Sequence, residues 1–219
     1  MPVEEPSVVL IDSRRIAYDE VSPPYLKGTV LLLPGSDSNR LIWYKQLEVF
    51  GRAFRTIALD YRDTGDSDSV SEPYTIADLA DDAAFVLAAL GVQRAHVVGV
   101  SLGGYVGLQM VLRHPERVEK LVLVSTSTTY IPPDPEMMAQ IRQLQQDQQL
   151  EVGERMQRIR ALIAAPGYFA NHPQDWDLIA EWTRYRPHSQ EAAIRQMQAC
   201  MTYDVSEQLD RIHVVIHMG

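Results

Sequence analysis

The chain has 219 residues, 46% hydrophobic and 22% charged, with a formal net charge of −9. Such numbers fit one globular core, with room for an insertion. The acidic balance and scattered cations argue against a nucleic-acid or anionic-membrane surface.

A single cysteine, Cys200, excludes an intrachain disulfide framework. No apolar stretch approaches the ~18 residues of a membrane span. Met1-Pro2-Val3-Glu4-Glu5-Pro6 shows neither a basic nor an apolar leader region, so a cytoplasmic protein is expected.

The opening third reads as strands. Val8–Ile11 and Arg15–Tyr18 flank Asp12-Ser13-Arg14, a hairpin turn. Thr29–Leu33 is a continuous apolar run ended by Pro34-Gly35, as suits a strand buried on both faces. Ile42, Trp43, Leu47 and Phe50 recur at helical spacing, and Phe54–Leu59 is the next strand. A loop rich in Asp, Gly and Ser then runs from Asp60 to Ser71; its carboxylates (Asp60, Asp63, Asp66, Asp68) read as turn and capping residues.

Thr75-Ile76-Ala77-Asp78 is a capping box, and the helix it opens stops at Gly91. A strand from Ala95, a helix through Arg113 and a strand Val118–Val124 follow. Strands alternating with helices imply a parallel sheet covered on both faces, with the first hairpin as an antiparallel edge.

Composition shifts at Pro132-Pro133-Asp134-Pro135, and from Glu136 to about Gln208 only helices are expected. Met137, Ile141 and Leu144 share one face; so do Met156, Ile159 and Ile163; Leu178, Trp182 and Tyr185; and Ile194, Met197 and Met201. Six glutamines between Gln140 and Gln149 read as a polar helix face. Ile212–Ile216 returns to strand character. The domain expectation is a core over 1–130, a helical cap over 131–208, and a return to the core over 209–219.

The chemistry centres on Gly99-Val100-Ser101-Leu102-Gly103-Gly104, placed between a predicted strand and a predicted helix. A serine at such a sharp turn is lifted above the sheet, where it can attack a carbonyl, and small neighbours let strand and helix approach. The oxyanion formed by that attack needs amide donors. Leu102 N–H and the N–H of Ser36, in the loop Pro34-Gly35-Ser36-Asp37, are the candidates.

A base must also take the serine proton. His114 ends the helix far from the serine; His96 and His213 start their strands at the wrong end; His172 and His188 lie beside prolines in the cap. His217 stands at the correct strand end, and Asp134 is an alternative acid. No metal-ligand, P-loop or dinucleotide-binding string occurs, so no metal or cofactor is expected.

The chain resembles the cap-bearing α/β-hydrolases, especially the branch of enol-lactonases, cofactor-free haloperoxidase-like esterases and carbon–carbon bond hydrolases. The resemblance rests on Leu31–Gly35, Asp60–Asp68, the Ser101 turn, His114–Val118 with Leu121-Val122-Leu123, and Val214–Gly219. It implies an α/β fold with a mostly parallel twisted sheet, an antiparallel N-terminal edge, helices on both faces and a helical cap. It implies Ser101 as nucleophile, with Ser36 and Leu102 as backbone oxyanion donors, and a small-molecule acyl substrate.

Pro34-Gly35 stands where the family usually has His-Gly, and Arg62-Asp63 where it has Arg-Gly. The acid and histidine of the triad, with the last strand and helix, are expected to be absent, so the chain as it stands is expected to be inactive. The alternative is a non-catalytic, ligand-binding module of the same fold. Self-association through an exposed edge at 212–216 is a further expectation.

Overall fold

The computed structural model describes residues 5–132, 134–175 and 189–218. The chain divides into two compact units, Met1–Tyr130 with His188–Gly219, and Ile131–Pro187.

The first unit is built on a seven-stranded sheet of order β1-β2-β4-β3-β5-β6-β7. Strands β1 (Ser7–Ile11) and β2 (Arg14–Val21) form an antiparallel hairpin. Its two-residue turn puts Asp12 and Ser13 at φ 47° and 72°, the left-handed pair that matches strand twist. Strand β2 also runs antiparallel to β4 (Arg55–Leu59). The remaining pairs are parallel: β4 with β3 (Thr29–Leu33), β3 with β5 (Ala95–Val100), β5 with β6 (Val118–Val124), and β6 with β7 (Val215–Met218).

The sheet is covered on both faces, so its central strands are apolar at successive positions. Leu31, Leu33, Ile57 and Leu59 pack with α2 (Ile76–Ala89) and α3 (Leu102–Arg113). Val30, Leu32 and Ala58 face Trp43 and Leu47, the latter on α1 (Tyr44–Phe50). The capping box is present: Thr75 Oγ1 accepts from Asp78 N–H, and the Asp78 carboxylate accepts from Thr75 N–H.

The last strand lies three residues later than its apolar run suggests. A 3₁₀ turn over Ser206–Arg211 holds Ile212 N–H on Leu209 carbonyl, so sheet pairing begins only at Val215, opposite Lys120.

The second unit contains α4 (Pro135–Gln146), α5 (Val152–Ile163) and α6 (Tyr168–Asn171). Met137, Ile141 and Leu144 are half-buried along α4, as their spacing predicts. The side chains of Met156 and Ile163, and all of Leu178, Trp182, Tyr185 and His188, lie outside the described residues. Among the described residues no helix is long and apolar enough to cross a membrane.

Helix α7 (Gln190–Met201), which composition places with the cap, belongs to the unit that holds the sheet. Its orientation corrects the sequence reading. Ile194 and Met201 are 50% and 62% exposed, while Ala192, Gln196, Ala199 and Cys200 form the buried face. Small side chains allow close approach, and a polar residue inside that face breaks the apolar period.

Candidate active site

Strand β5 ends at Val100 and α3 begins at Leu102, so Ser101 alone makes the turn. Its backbone sits at φ 52° and ψ −118°, a conformation costly for a residue with a side chain. Neighbouring contacts hold it there. Ser101 N–H donates to Val124 carbonyl at 2.9 Å, and Thr126 Oγ1 donates to Ser101 carbonyl at 2.8 Å.

Close packing accounts for the glycines. A Cβ on Gly99 would collide with the Gly103 carbonyl, and one on Gly103 would lie 2.7 Å from the Leu33 carbonyl carbon. The start of α3 thus presses on both its own strand and the end of β3. Ser101 is half-buried, and its side chain makes no capping bond to α3.

The loop after β3 meets this turn directly. A Cβ on Gly35 would lie 3.5 Å from Ser101 Cβ. Tyr61 Oη donates to Pro34 carbonyl at 3.1 Å, and Asp37 N–H donates to Gln196 Oε1 at 2.9 Å, holding the loop on both sides of Gly35-Ser36. Ser36 is exposed. Leu102 N–H stands at the first position of α3, where a helix offers no internal acceptor.

The carboxylates of the next loop do more than shape turns. Asp60 is fully buried; its carboxylate accepts from Arg40 N–H at 2.7 Å, Arg40 Nη1 at 2.6 Å and Asp66 N–H at 2.9 Å. Arg40 also meets Asp66 at 2.8 Å and Asp19 at 2.9 Å. Burial opposes the Arg40 charge, but Asp60 and Asp19 outweigh it and raise its pKa above the ordinary guanidinium value. Asp63 sits at φ 67°, the left-handed region glycine favours, and its carboxylate accepts from Val70 N–H and both forks of Arg195. The departure from Arg-Gly therefore adds an ion pair that locks α7 to this loop.

The described histidines are dispersed. His114 pairs with Asp81 at 2.7 Å, and the length of α3 sets it about 18 Å from Ser101. His96 lies near the start of β5, edge-on to Phe54. His172 packs on Tyr168 in the second unit. His213 and His217 are exposed. His217 is on β7, two strands from β5, a lateral separation of about 10 Å. Asp134, the alternative acid, caps α4 by accepting from Met137 N–H at 2.8 Å. Among the described residues no group of three metal-ligating side chains occurs.

Sequence reasoning missed Gln196, Thr126, Arg195 and the Arg40 cluster. Local signals exist only for Thr126, which follows a predicted strand at the same sheet rim. The others reach the site by long-range folding.

Comparison with known proteins agrees with this fold. The model of the family described as alpha/beta hydrolase fold matches residues 28–193. A protein designated carbamate hydrolase RutD, from Caulobacter sp. (strain K31), is 39% identical over 111 residues, 49% of this chain and 41% of its own. The chain thus spans about two fifths of the length of the curated relatives it matches. A hydrolase from Pseudomonas aeruginosa PA01 superposes with a TM-score of 0.77 at 25% identity, over 99% of this chain and 80% of its own. The enol-lactonase from Burkholderia xenovorans LB400 gives 0.78 at 18% identity, over 97% and 80%.

Proposed function

The chain belongs to the alpha/beta hydrolase fold family, and on that premise we propose that it is a serine hydrolase of small acyl substrates: esters, lactones or carbamates. Ser101 is the nucleophile. The observation that carries the reading is the Ser101 backbone at φ 52°, wedged between Gly99 and Gly103 and abutting Gly35. Kinship with the RutD proteins brings carbamates into the substrate class.

In the first step Ser101 Oγ attacks the acyl carbon and the carbonyl π pair moves to oxygen. Leu102 and Ser36 N–H groups stabilise that oxyanion. Collapse expels the alcohol or amine, protonated, and leaves an acyl-serine; water then attacks the same carbon and releases the acid.

The Oγ proton needs an acceptor, and no histidine among the described residues meets Ser101. Catalysis by the Ser101 turn and its amide donors without such an acceptor is slow, of the order of the ~10³–10⁴-fold over water that remains when triad members are removed. The same observation favours a second reading, a ligand-binding module that keeps the serine turn without turnover.

Labelling with a fluorophosphonate tests both. Slow modification confined to Ser101, and lost in Ser101→Ala, is the expected result for the hydrolase. Complete inertness toward the probe and toward p-nitrophenyl acetate would leave the binding module. Hydrolysis that survives Ser101→Ala would overturn the assignment of the nucleophile.

A further inference from the structure

Gln196 takes no step in the acyl chemistry above, yet it is bonded to the loop that carries Ser36. It is 1% exposed, in the middle of the buried face of α7. A buried carboxamide is costly unless its polar atoms are paired. Its Oε1 accepts from Asp37 N–H at 2.9 Å. That bond fixes which way the amide faces, because only the oxygen can accept. Its Nε2 is buried with no acceptor among the described residues.

The helix carrying Gln196 cannot readily turn to relieve this. The adjacent Arg195 is clamped on Asp63 by bonds of 2.8 and 3.1 Å. Asp37, in turn, sits at φ 52°, a conformation that an L side chain adopts only when neighbours impose it. Asp37 lies two residues beyond Gly35, which abuts Ser101. One end of the amide therefore holds the Ser36–Asp37 segment, and the other is a buried donor with no acceptor among the described residues.

We propose that Gln196 is a positioning and ligand-binding residue: its Oε1 sets the Ser36–Asp37 segment through the Asp37 N–H, and its unpaired Nε2–H donates to an acceptor oxygen of a bound acyl ligand. The inference rests on the reading of this site as an acyl-binding one. It selects for ligands with a second oxygen beyond the attacked carbonyl, as esters, lactones and carbamates have.

The test is nuclear magnetic resonance on the 15N-labelled chain, with ethyl carbamate and ethyl acetate as probes. In the unsubstituted chain Asp37 N–H is protected from exchange, and the probes shift the Gln196 side-chain amide signals. In Gln196→Met, Asp37 exchange rises roughly tenfold, the scale of one lost hydrogen bond, while β3 and β5 amides stay protected. Gln196→Glu retains an acceptor for Asp37 and restores its protection but loses the donor, so probe binding weakens roughly tenfold. This variant carries the test if Gln196→Met does not fold.

Unchanged Asp37 exchange in Gln196→Met overturns the positioning role. Failure of both probes to move the Gln196 amide signals overturns the ligand role, as does equal binding by Gln196→Glu. A Ser101 that never labels with fluorophosphonate, alongside the expected Asp37 and Gln196 responses, removes the hydrolase reading and leaves this inference standing.

Discussion

Arg40 and Asp60 are both fully buried and tie the loop after β3 to the loop after β4. Deleting one partner of such a pair costs about 3–5 kcal/mol, because the survivor stays buried without its countercharge. Arg40 retains Asp19 and Asp66 when Asp60 is lost, so Asp60→Asn belongs at the low end, about 3 kcal/mol. Arg40→Met strands the Asp60 carboxylate and belongs at the high end. Urea unfolding checks the order, and the double variant should lose less than the sum. This cluster also shows what could be read at residue scale. Ser101 was legible because its turn is local: two glycines, a strand before and a helix after. Asp60 read only as a turn residue because its principal partner lies 20 positions away. Gln196 was hidden for the same reason, its partner standing 159 positions distant.

Helices α2 and α3 are joined at one end by Asp81, which accepts from Arg113 at 2.8 and 2.6 Å and faces His114 at 2.7 Å. The Arg113 hydrogen bonds, against the cost of burial and with help from His114, hold the Asp81 carboxyl below its ordinary 3.8. A depressed folded pKa contributes stability that is complete above the unfolded value and lost as pH falls through the folded one. Asp81→Asn should therefore lower the thermal midpoint at neutral pH and flatten its fall below about pH 4. A midpoint that drops equally steeply in both proteins would assign the acid lability elsewhere. The carboxylate is 40% exposed, so solvent screening keeps the effect small. Element-scale features were the most legible. The hairpin, the capping box and the buried runs Thr29–Leu33 and Arg55–Leu59 each carry a local pattern. Two readings failed where tertiary packing overrode pattern: the buried face of α7, and the start of β7.

At the scale of the molecule, β7 is the edge of the sheet formed by the described residues. Among the described residues it pairs only with β6, and it exposes Val215 at 56% and Met218 at 85%. Protected edges in natural sheets carry lysine, proline or a bulge, or lie beneath a helix or loop, because an open row of backbone donors and acceptors recruits another strand. Here the flanking His213, Val215 and His217 are exposed, and none is a lysine or a proline. The net charge of −9 opposes association only weakly at physiological salt, where screening acts within about 8 Å. The 219-residue chain should therefore self-associate in a concentration-dependent way in sedimentation velocity, through a second copy of β7. Val215→Lys places a charge on the edge and should shift the distribution toward monomer. It leaves Ser101 and Gln196 untouched, so fluorophosphonate labelling should be unchanged. A chain that remains monomeric across the concentration range, with or without the substitution, would show that this edge does not recruit a second copy.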